Sequence, residues 1–494
     1  MQFMPIKTSD RHRMEPRVKR IAIVIVLGSI MSILDTTIVN VALDSLSRDL
    51  HSSLSTTQWV VSAYLLALAA VIPLTGWAMR RFGAFAVYMQ ALVLFTLGSA
   101  LCGLANSIGE LIAFRALQGV GGGMLVPTGL TLLVQAAGRD NLPRVMSTIG
   151  VPLVLAPVFG PTLGGFLLQS VSWHAIFWIN VPIGIVTAYV AVRLLPRDRP
   201  DIKSAGRLDW QGLLLAGAGT VGITYGLSQS ATAGSFTSKS VVVPILLGLV
   251  LLVAYIARSR RIDHPVLDLS LYRIRAYSSA SMVIFCLGAA LFGAMILLPL
   301  YFQLGRGEDA IHTGLLLIPQ GIGASIGMNR SGMATRRLGS GLTSVMGGII
   351  LVLATIPFLS FGAGTPYAVI AVAMAARGVG VGLAMMPAMT AAFSCLNHDQ
   401  INDASPQLNV IQRVGGSLGT AVIAVVLQSK LTQHAGPATA STTAAAFAGT
   451  YWWVMGLTIV ALIPAVVLWR VERRVRAEGN QSEVPEEAMV EAVA

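Results

Sequence analysis

The stretch Gly150-Val-Pro-Leu-Val-Leu-Ala-Pro-Val-Phe-Gly-Pro-Thr-Leu-Gly-Gly165 lies inside an apolar run from about 143 to 169, long enough to cross a bilayer as a helix. At spacings of three and four residues, its prolines and glycines leave one helix face almost without side chains. Small residues in this pattern let two helix backbones touch in lipid, and protein must cover the proline bends. A lone motif of this kind is usually an ordinary packing face, but this one is dense. We predict a bent, buried helix with Gly150, Pro157, Gly160, Pro161, Gly164 and Gly165 as its motif residues.

The composition is that of a polytopic membrane protein. Of 494 residues, 54% are hydrophobic and 11% are charged, whereas about a quarter are charged in soluble proteins. The net charge of +12 comes from short basic clusters between apolar runs, which is typical of cytoplasmic loops, so we expect no nucleic-acid partner. The three cysteines lack metal-ligand spacing, and the chain has no GxxxxGK[ST] or HExxH motif. We therefore expect neither an enzyme nor a metal or cofactor site.

Fourteen apolar runs have the length of a transmembrane helix. They fall at about 21–43, 57–76, 84–105, 108–134, 143–169, 174–195, 210–228, 241–258, 277–300, 311–329, 341–361, 367–391, 406–428 and 449–469. Arginine and lysine are concentrated before the first run, in alternate connections and after the last run, which places those segments and both termini in the cytoplasm. We expect an all-α, multi-pass protein surrounded by lipid in the bacterial cytoplasmic (inner) membrane.

An internal repeat divides the chain. The turn 76–83, Gly-Trp-Ala-Met-Arg-Arg-Phe-Gly, recurs 256 residues later at 332–339 as Gly-Met-Ala-Thr-Arg-Arg-Leu-Gly, and 119–123 recurs 259 residues later at 378–382. The repeat predicts two six-helix halves, a plan that recurs among transporters. The predicted units are a cytoplasmic segment 1–20, halves 21–195 and 277–470, a linker 196–276 with two extra helices, and a cytoplasmic tail 471–494.

The repeated turns are candidate gates. Arginines at the inner membrane surface are usually only topogenic, but their recurrence favours cations that latch one conformational state to a neighbouring helix. The residues concerned are Gly76, Arg80, Arg81, Gly83, Gly332, Arg336, Arg337 and Gly339.

Asp35 and Arg115 are the candidate coupling pair. Asp35 is the one acid well inside a predicted span, where a charge costs about 2.5 to 3.5 kcal/mol and so indicates function. Helical rise places it and Arg115, in the fourth span, about 10 to 12 Å below the same surface, so they can meet directly or through water. A cation stabilises the ionised carboxylate and burial stabilises the neutral acid, opposing effects that suit a proton site. The alternatives are a structural acid and a structural arginine clasp.

Two further arginines lie inside predicted spans. Arg377 in the twelfth span and Arg413 in the thirteenth have no acidic partner in their own helices. We expect them to line the second half of a cavity or to lie near its inner mouth. Aromatic residues such as Trp59 and Tyr64 can supply an apolar wall, although most such residues only pack.

The chain from Ile21 to Arg470 resembles the fourteen-helix drug:proton antiporters of the major facilitator superfamily (EmrB/QacA type). The residues that carry the resemblance are Leu34-Asp-Thr-Thr-Ile-Val-Asn40, Arg115 to Gly123, Gly160-Pro161 with Gly164-Gly165, Trp173-His-Ala-Ile-Phe-Trp-Ile-Asn-Val-Pro-Ile-Gly184, Leu208-Asp-Trp-Gln-Gly212 and His264-Pro-Val-Leu-Asp-Leu-Ser-Leu-Tyr272. The resemblance implies the major facilitator fold, a role for Arg115 in proton transfer and an antiporter motif at 150–165. In the family turn Gly-x-Leu-Ala-Asp-Arg-x-Gly, Arg80 stands where an acid is usual, so another acid or a carbonyl must take its place.

Together these patterns predict a proton-coupled efflux antiporter that exports amphipathic, cationic drugs and toxic compounds by alternating access. Its partners would be protons and these small molecules, and the need for a periplasmic adaptor and outer-membrane channel stays open. A dedicated exporter of one endogenous metabolite is the alternative within transport. A non-transporting membrane sensor or scaffold is a second alternative, and it predicts that Asp35→Asn changes no flux.

Overall fold

The structure is a computed structural model that describes residues 15–198, 200, 205–397, 399–432 and 440–482. Those residues form sixteen α-helices and no strand. Long apolar segments satisfy their backbone polar groups internally only as helices when lipid surrounds them, which explains the single type of element.

Eight helices form the first part of the chain. They are α1 (Pro16–Asp49), α2 (Leu54–Thr57), α3 (Trp59–Val71), α4 (Leu74–Phe82), α5 (Ala84–Cys102), α6 (Ile108–Ser170), α7 (Trp173–Trp178) and α8 (Asn180–Leu194). Two of the predicted spans, 108–134 and 143–169, lie within the single helix α6, whose one non-helical residue is Gly138 at a φ of 66°.

The second part of the chain has eight more helices. They are α9 (Trp210–Ala233), α10 (Lys239–Ser259), α11 (Arg275–Leu300), α12 (Ala310–Leu338), α13 (Ser340–Thr355), α14 (Tyr367–Ser394), α15 (Ile401–Thr432) and α16 (Ala440–Ser482). Short 3₁₀ turns at Leu269–Arg273 and Ile356–Ser360 and a π-turn at Tyr301–Gly305 adjoin α11 and α13.

The number of membrane-crossing helices is smaller than expected. Among the described residues ten helices are long and apolar enough to cross a membrane, or eleven if α3 and α4, bent by 57° at Pro73, form one span. All fourteen predicted runs lie in helices, but 143–169, 210–228 and 311–329 add no span to that count. Glycine and polar residues dilute the hydropathy of α9 and α12, and several side chains between 151 and 162 lie outside the described set. Fourteen spans are therefore not established by length and composition alone.

Glycine faces pack the helices in the same way in both parts of the chain. A Cβ atom on Gly119 of α6 would overlap the carbonyl oxygen of Tyr64 in α3, and one on Gly378 of α14 would overlap that of Gln320 in α12. These two pairs are related by the repeat offsets of 259 and 256 residues. Backbones touch at these points because no side chain separates them.

Matching carboxylates cap the helices that follow the two repeated turns. Gly83 and Gly339 end α4 and α12 at φ values of 87° and 93°, a region that only glycine adopts without strain. Asp198 then accepts hydrogen bonds from the first backbone N–H groups of α5, and Glu472 does so for α13. Both turns are thereby held at one end of the bundle, which we call the arginine-rich end.

Helix α9 contacts both parts of the bundle. Tyr225 of α9 stacks on Trp59 of α3, with ring centroids 6.1 Å apart. On another face Ile223 and Leu227 pack with Ala421 of α15. The inserted helix thus lies across the boundary between the first and second parts of the chain. Helix α10, most of whose residues are not buried, lies outside this boundary.

Candidate functional site

Asp35 and Arg115 are in direct contact inside the first half of the bundle. The Arg115 Nη1 donates to Asp35 Oδ2 at 2.5 Å, and neither side chain has any exposed surface. Asp35 lies on α1 and Arg115 on α6, two helices that glycines and other small residues bring close together. A buried ion pair needs further hydrogen bonds to offset its desolvation.

Two amides supply hydrogen bonds to the other carboxylate oxygen. Gln118 Nε2 donates to Asp35 Oδ1 at 2.9 Å, and Asn180 Nδ2 of α8 donates to the same atom at 3.3 Å. Asn180 also donates to the Ser99 hydroxyl of α5 at 3.1 Å, which in turn donates to a backbone carbonyl. The carboxylate of Asp35 is therefore held by two helices besides its own, α6 and α8.

The guanidinium of Arg115 is nearly saturated. Its Nε donates to the Val60 carbonyl at 3.1 Å, and its Nη1 donates to Gln118 Oε1 at 2.8 Å. The ring of Tyr64 lies under the guanidinium at 4.2 Å, and the Tyr64 hydroxyl is 3.1 Å from the Ser32 hydroxyl. Nη2 alone is buried without an acceptor among the described residues. We call Asp35, Arg115, Gln118, Asn180 and Tyr64 the coupling cluster.

Sequence reasoning identified two of the five cluster residues by their role. Gln118 is three residues after Arg115, and this spacing alone predicts that the two side chains lie on the same helix face. Asn180 lies inside the stretch 173–184 quoted above, but nothing in its local sequence indicates which acid it binds. Tyr64 was assigned only to a generic apolar wall, because its position under Arg115 depends on how α3 packs against α6.

The first repeated turn is joined to the second half of the chain by an ion pair. Arg80 binds the carboxylate of Asp403, in the first turn of α15, and each side chain is 11% exposed. Gly76 leaves room for this contact, since a Cβ there would lie 2.9 Å from Asp403 Oδ1. The acid that complements this turn thus comes from the opposite half of the molecule.

The second repeated turn meets the first half through a backbone contact, with no ion pair among the described residues. A Cβ on Gly332 would lie 2.9 Å from the Pro143 carbonyl oxygen of α6, so these backbones are in contact. Arg336 and Arg337 are exposed, and neither has an ion-pair partner in the described part of the chain. Arg81, next to Arg80, likewise has no ion-pair partner among the described residues. The two turns are similar in backbone and different in electrostatics.

The small-residue motif of α6 contacts the second half of the bundle near its start and helix α1 further along. Near its start Gly150 lies against the thioethers of Met328 and Met386, from α12 and α14. Further along, Gly160 and Gly164 lie against Thr37 and Ile38 of α1, whereas a Cβ on Gly165 would meet nothing within 4 Å. The side chains of Pro157 and Pro161 lie outside the described residues.

Arg377 lies inside the second half of the bundle. It is fully buried, and its three guanidinium nitrogens have no acceptor among the described residues. Its electrostatic neighbour is Tyr451 of α16. In the repeat its position corresponds to that of Gln118, but α11 carries no acid to match Asp35 of α1. The charge pair is therefore a property of one half only.

Protonation of the coupling cluster would require its hydrogen bonds to rearrange. A proton on Asp35 removes the charge that Arg115 binds, so the guanidinium must find another acceptor or move. Because the cluster joins α1, α3, α6 and α8, such a change is transmitted to several helices. In the described part of the chain no group of three His, Cys, Asp or Glu side chains has the geometry to hold a metal ion.

Comparison with known proteins places this architecture in a family. The model of the Major Facilitator Superfamily matches residues 25–420, so the chain belongs to that superfamily and is a membrane transporter by family. Its sequence is 38% identical over 419 residues to the "Multidrug resistance protein B homolog" of Mycobacterium tuberculosis, covering 84% of this chain and 77% of that protein. It is 31% identical over 451 residues to the "Putative multidrug resistance protein MdtD" of Escherichia coli, covering 91% and 93%.

A solved structure has the same fold. The human organic anion transporter MFSD10 (TETRAN) superposes with a TM-score of 0.60 and 15% identity over 90% of this chain and 100% of that one. At this identity the likeness concerns the fold alone. The relatives named multidrug resistance proteins support membership among the drug efflux transporters of the superfamily.

Proposed function

We propose that this protein is a proton-coupled antiporter that exports amphipathic compounds, lipophilic cations among them, across the bacterial inner membrane. In this proposal fourteen helices cross the membrane, the arginine-rich end faces the cytoplasm, and the two six-helix halves alternate access to a site between them. The alternating basic clusters support that orientation, and the helical character of all fourteen predicted runs supports that count.

The observation that carries the proposal is the ion pair of Asp35 and Arg115. A carboxylate that is buried at membrane depth is costly, so it is rarely present there without a function. Proton relay is a common function of such residues. The hydrogen bonds of this ion pair join four helices, α1, α3, α6 and α8, so the protonation of one side chain changes contacts in much of the first half. The family assignment supports transport rather than catalysis.

The test is proton release from everted membrane vesicles. The vesicles are acidified inside, ethidium is added, and the collapse of the pH gradient is recorded for the native protein and for Asp35→Asn. We expect collapse with the native protein and none with the variant, because an amide cannot carry the proton. Asp44→Asn is the matched control, since Asp44 is on the same helix but 76% exposed and paired with Arg48.

The possible results separate the alternatives. If native vesicles respond to none of a panel of lipophilic cations, multidrug export is wrong and a dedicated metabolite exporter replaces it. If Asp35→Asn and Asp44→Asn both behave like the native protein, Asp35 is structural and proton coupling does not pass through it.

A further inference from the structure

Arg413 lies near the middle of α15 and has no ion pair within the part of the chain that the structure describes. It follows the start of that helix at Ile401 by twelve residues, a rise of about 18 Å in a helix of 32 residues. The side chain is partly exposed, and its Nε is buried without an acceptor among the described residues. Such a cation at membrane depth is expected to face protein or a water-filled cavity and to have a role.

The polar face of α15 that carries Arg413 is turned toward the first half of the bundle. Residues at spacings of three, four and seven share one face of a helix. That face carries Asn402, Asn409, Arg413, Ser417 and Thr420. At its start Asn402 accepts a hydrogen bond of 3.0 Å from Gln135 of α6, so this face of α15 meets the first half. Arg413 follows about three turns further along the same face and therefore lies on the boundary between the halves.

The acids near this boundary are already engaged. Asp35 is held by Arg115, and Asp403 is held by Arg80. Arg377 belongs to the interior of the second half, where it is fully buried and neighbours Tyr451. Among the described residues named here, the charge that is left to act on a molecule between the halves is therefore the positive charge of Arg413.

From this arrangement we propose that Arg413 binds the carboxylate of amphipathic substrates at the boundary between the two halves. A guanidinium offers two parallel N–H donors that match a carboxylate, and partial burial strengthens such a bond. The apolar part of the substrate then lies toward the aromatic and aliphatic side chains that flank the polar face of α15. This inference rests on the proposed export function and extends its substrates from lipophilic cations to carboxylates.

The experiment compares two xanthene dyes in proteoliposomes of the full-length protein with an imposed pH gradient. Fluorescein carries a carboxylate, whereas rhodamine 6G is a cationic ester with a similar ring system. Initial rates are measured for the native protein, Arg413→Met, Arg413→Lys and the matched control Arg377→Met, which removes a second in-membrane arginine that does not lie on the boundary.

We expect the native protein to transport both dyes. Arg413→Met should lose at least about tenfold in fluorescein transport, since hydrogen bonds to charged groups contribute enough for such a loss, and should keep rhodamine 6G transport. Arg413→Lys should retain part of the fluorescein rate, and Arg377→Met should not discriminate between the dyes. Rhodamine 6G transport also shows that each variant is folded.

Four results would overturn the proposal. If the native protein transports rhodamine 6G alone, Arg413 does not serve carboxylates although the export function stands. If Arg413→Met transports fluorescein at the native rate, or loses both dyes equally, the residue does not recognise the carboxylate. If the native protein transports neither dye, the export function fails together with this inference.

Discussion

At the scale of the residue, the geometry of Arg115 depends on the fork of its guanidinium. One side chain contacts the Asp35 carboxylate, the Gln118 amide and the Val60 carbonyl at once, from three different directions. An ammonium has the same charge but presents it as a compact point without that planar spread of donors. The charge of residue 115 and its shape therefore have separable consequences.

Arg115→Lys is expected to reduce ethidium-driven proton release at least about tenfold. The ammonium can pair with Asp35 but cannot also reach both Gln118 and Val60, so the cluster loses hydrogen bonds that are costly to leave unmade when buried. The measurement is proton release in everted vesicles. The matched control is Arg48→Lys, because Arg48 also pairs with an aspartate but is 71% exposed. Native-like release with Arg115→Lys would show that charge alone suffices.

At the scale of the element, glycines set the distance between helices. Gly415 and Gly419 of α15 lie against the backbone of α11, where Phe285 and Ala289 supply the facing carbonyl groups. Without a hydrophobic force between helices in lipid, this close packing is a main source of helix association. A single methyl group at such a position must move a backbone rather than a side chain.

Gly419→Ala is expected to lower the thermal unfolding temperature of the detergent-solubilised protein by several degrees. Its Cβ would overlap the Ala289 carbonyl oxygen, so α11 and α15 must separate. Gly456→Ala in α16 is the control, because a Cβ there meets nothing within 4 Å. That variant should unfold at or slightly above the native temperature, since alanine favours a helix more than glycine. Equal temperatures for both variants would contradict the packing argument.

At the scale of the whole molecule, the two halves are fastened at the arginine-rich end. The contacts include the ion pair of Arg80 and Asp403 and the hydrogen bond of 2.8 Å from the Ser405 hydroxyl to the Pro127 carbonyl. In a protein that alternates between two states, contacts made in one state only set the ratio of the two populations. Under the alternating access proposed above, the ion pair of Arg80 and Asp403 would therefore act on the conformational equilibrium of the entire bundle.

Arg80→Gln is expected to shift that equilibrium roughly tenfold toward a state open at the arginine-rich end. Spin labels at Phe82→Cys and Leu338→Cys, equivalent exposed positions of the repeated turns, report the separation of the halves after the native cysteines are replaced. Double electron–electron resonance should show an added population with a longer distance between the two spin labels in Arg80→Gln.

The exchange Arg80→Asp with Asp403→Arg serves as the control for the latch. It should restore part of the short-distance population, but not all of it, because an arginine in the first turn of α15 opposes the helix dipole. An unchanged distance distribution in Arg80→Gln would show that backbone packing at Gly332 holds this end without the ion pair.

The helical class of the protein, the position of its apolar runs and the candidate pair Asp35 and Arg115 can all be predicted from the amino-acid sequence. These follow from hydropathy, helical period and the cost of charge in a membrane, which are properties of single segments. The tertiary structure alone decided that Asp403 complements Arg80 across 323 positions, that Gln118 and Asn180 hold Asp35, and that α9 lies across both halves. The physical reason is that such contacts depend on which helix faces meet, and in lipid that is decided by close packing between segments far apart in the chain.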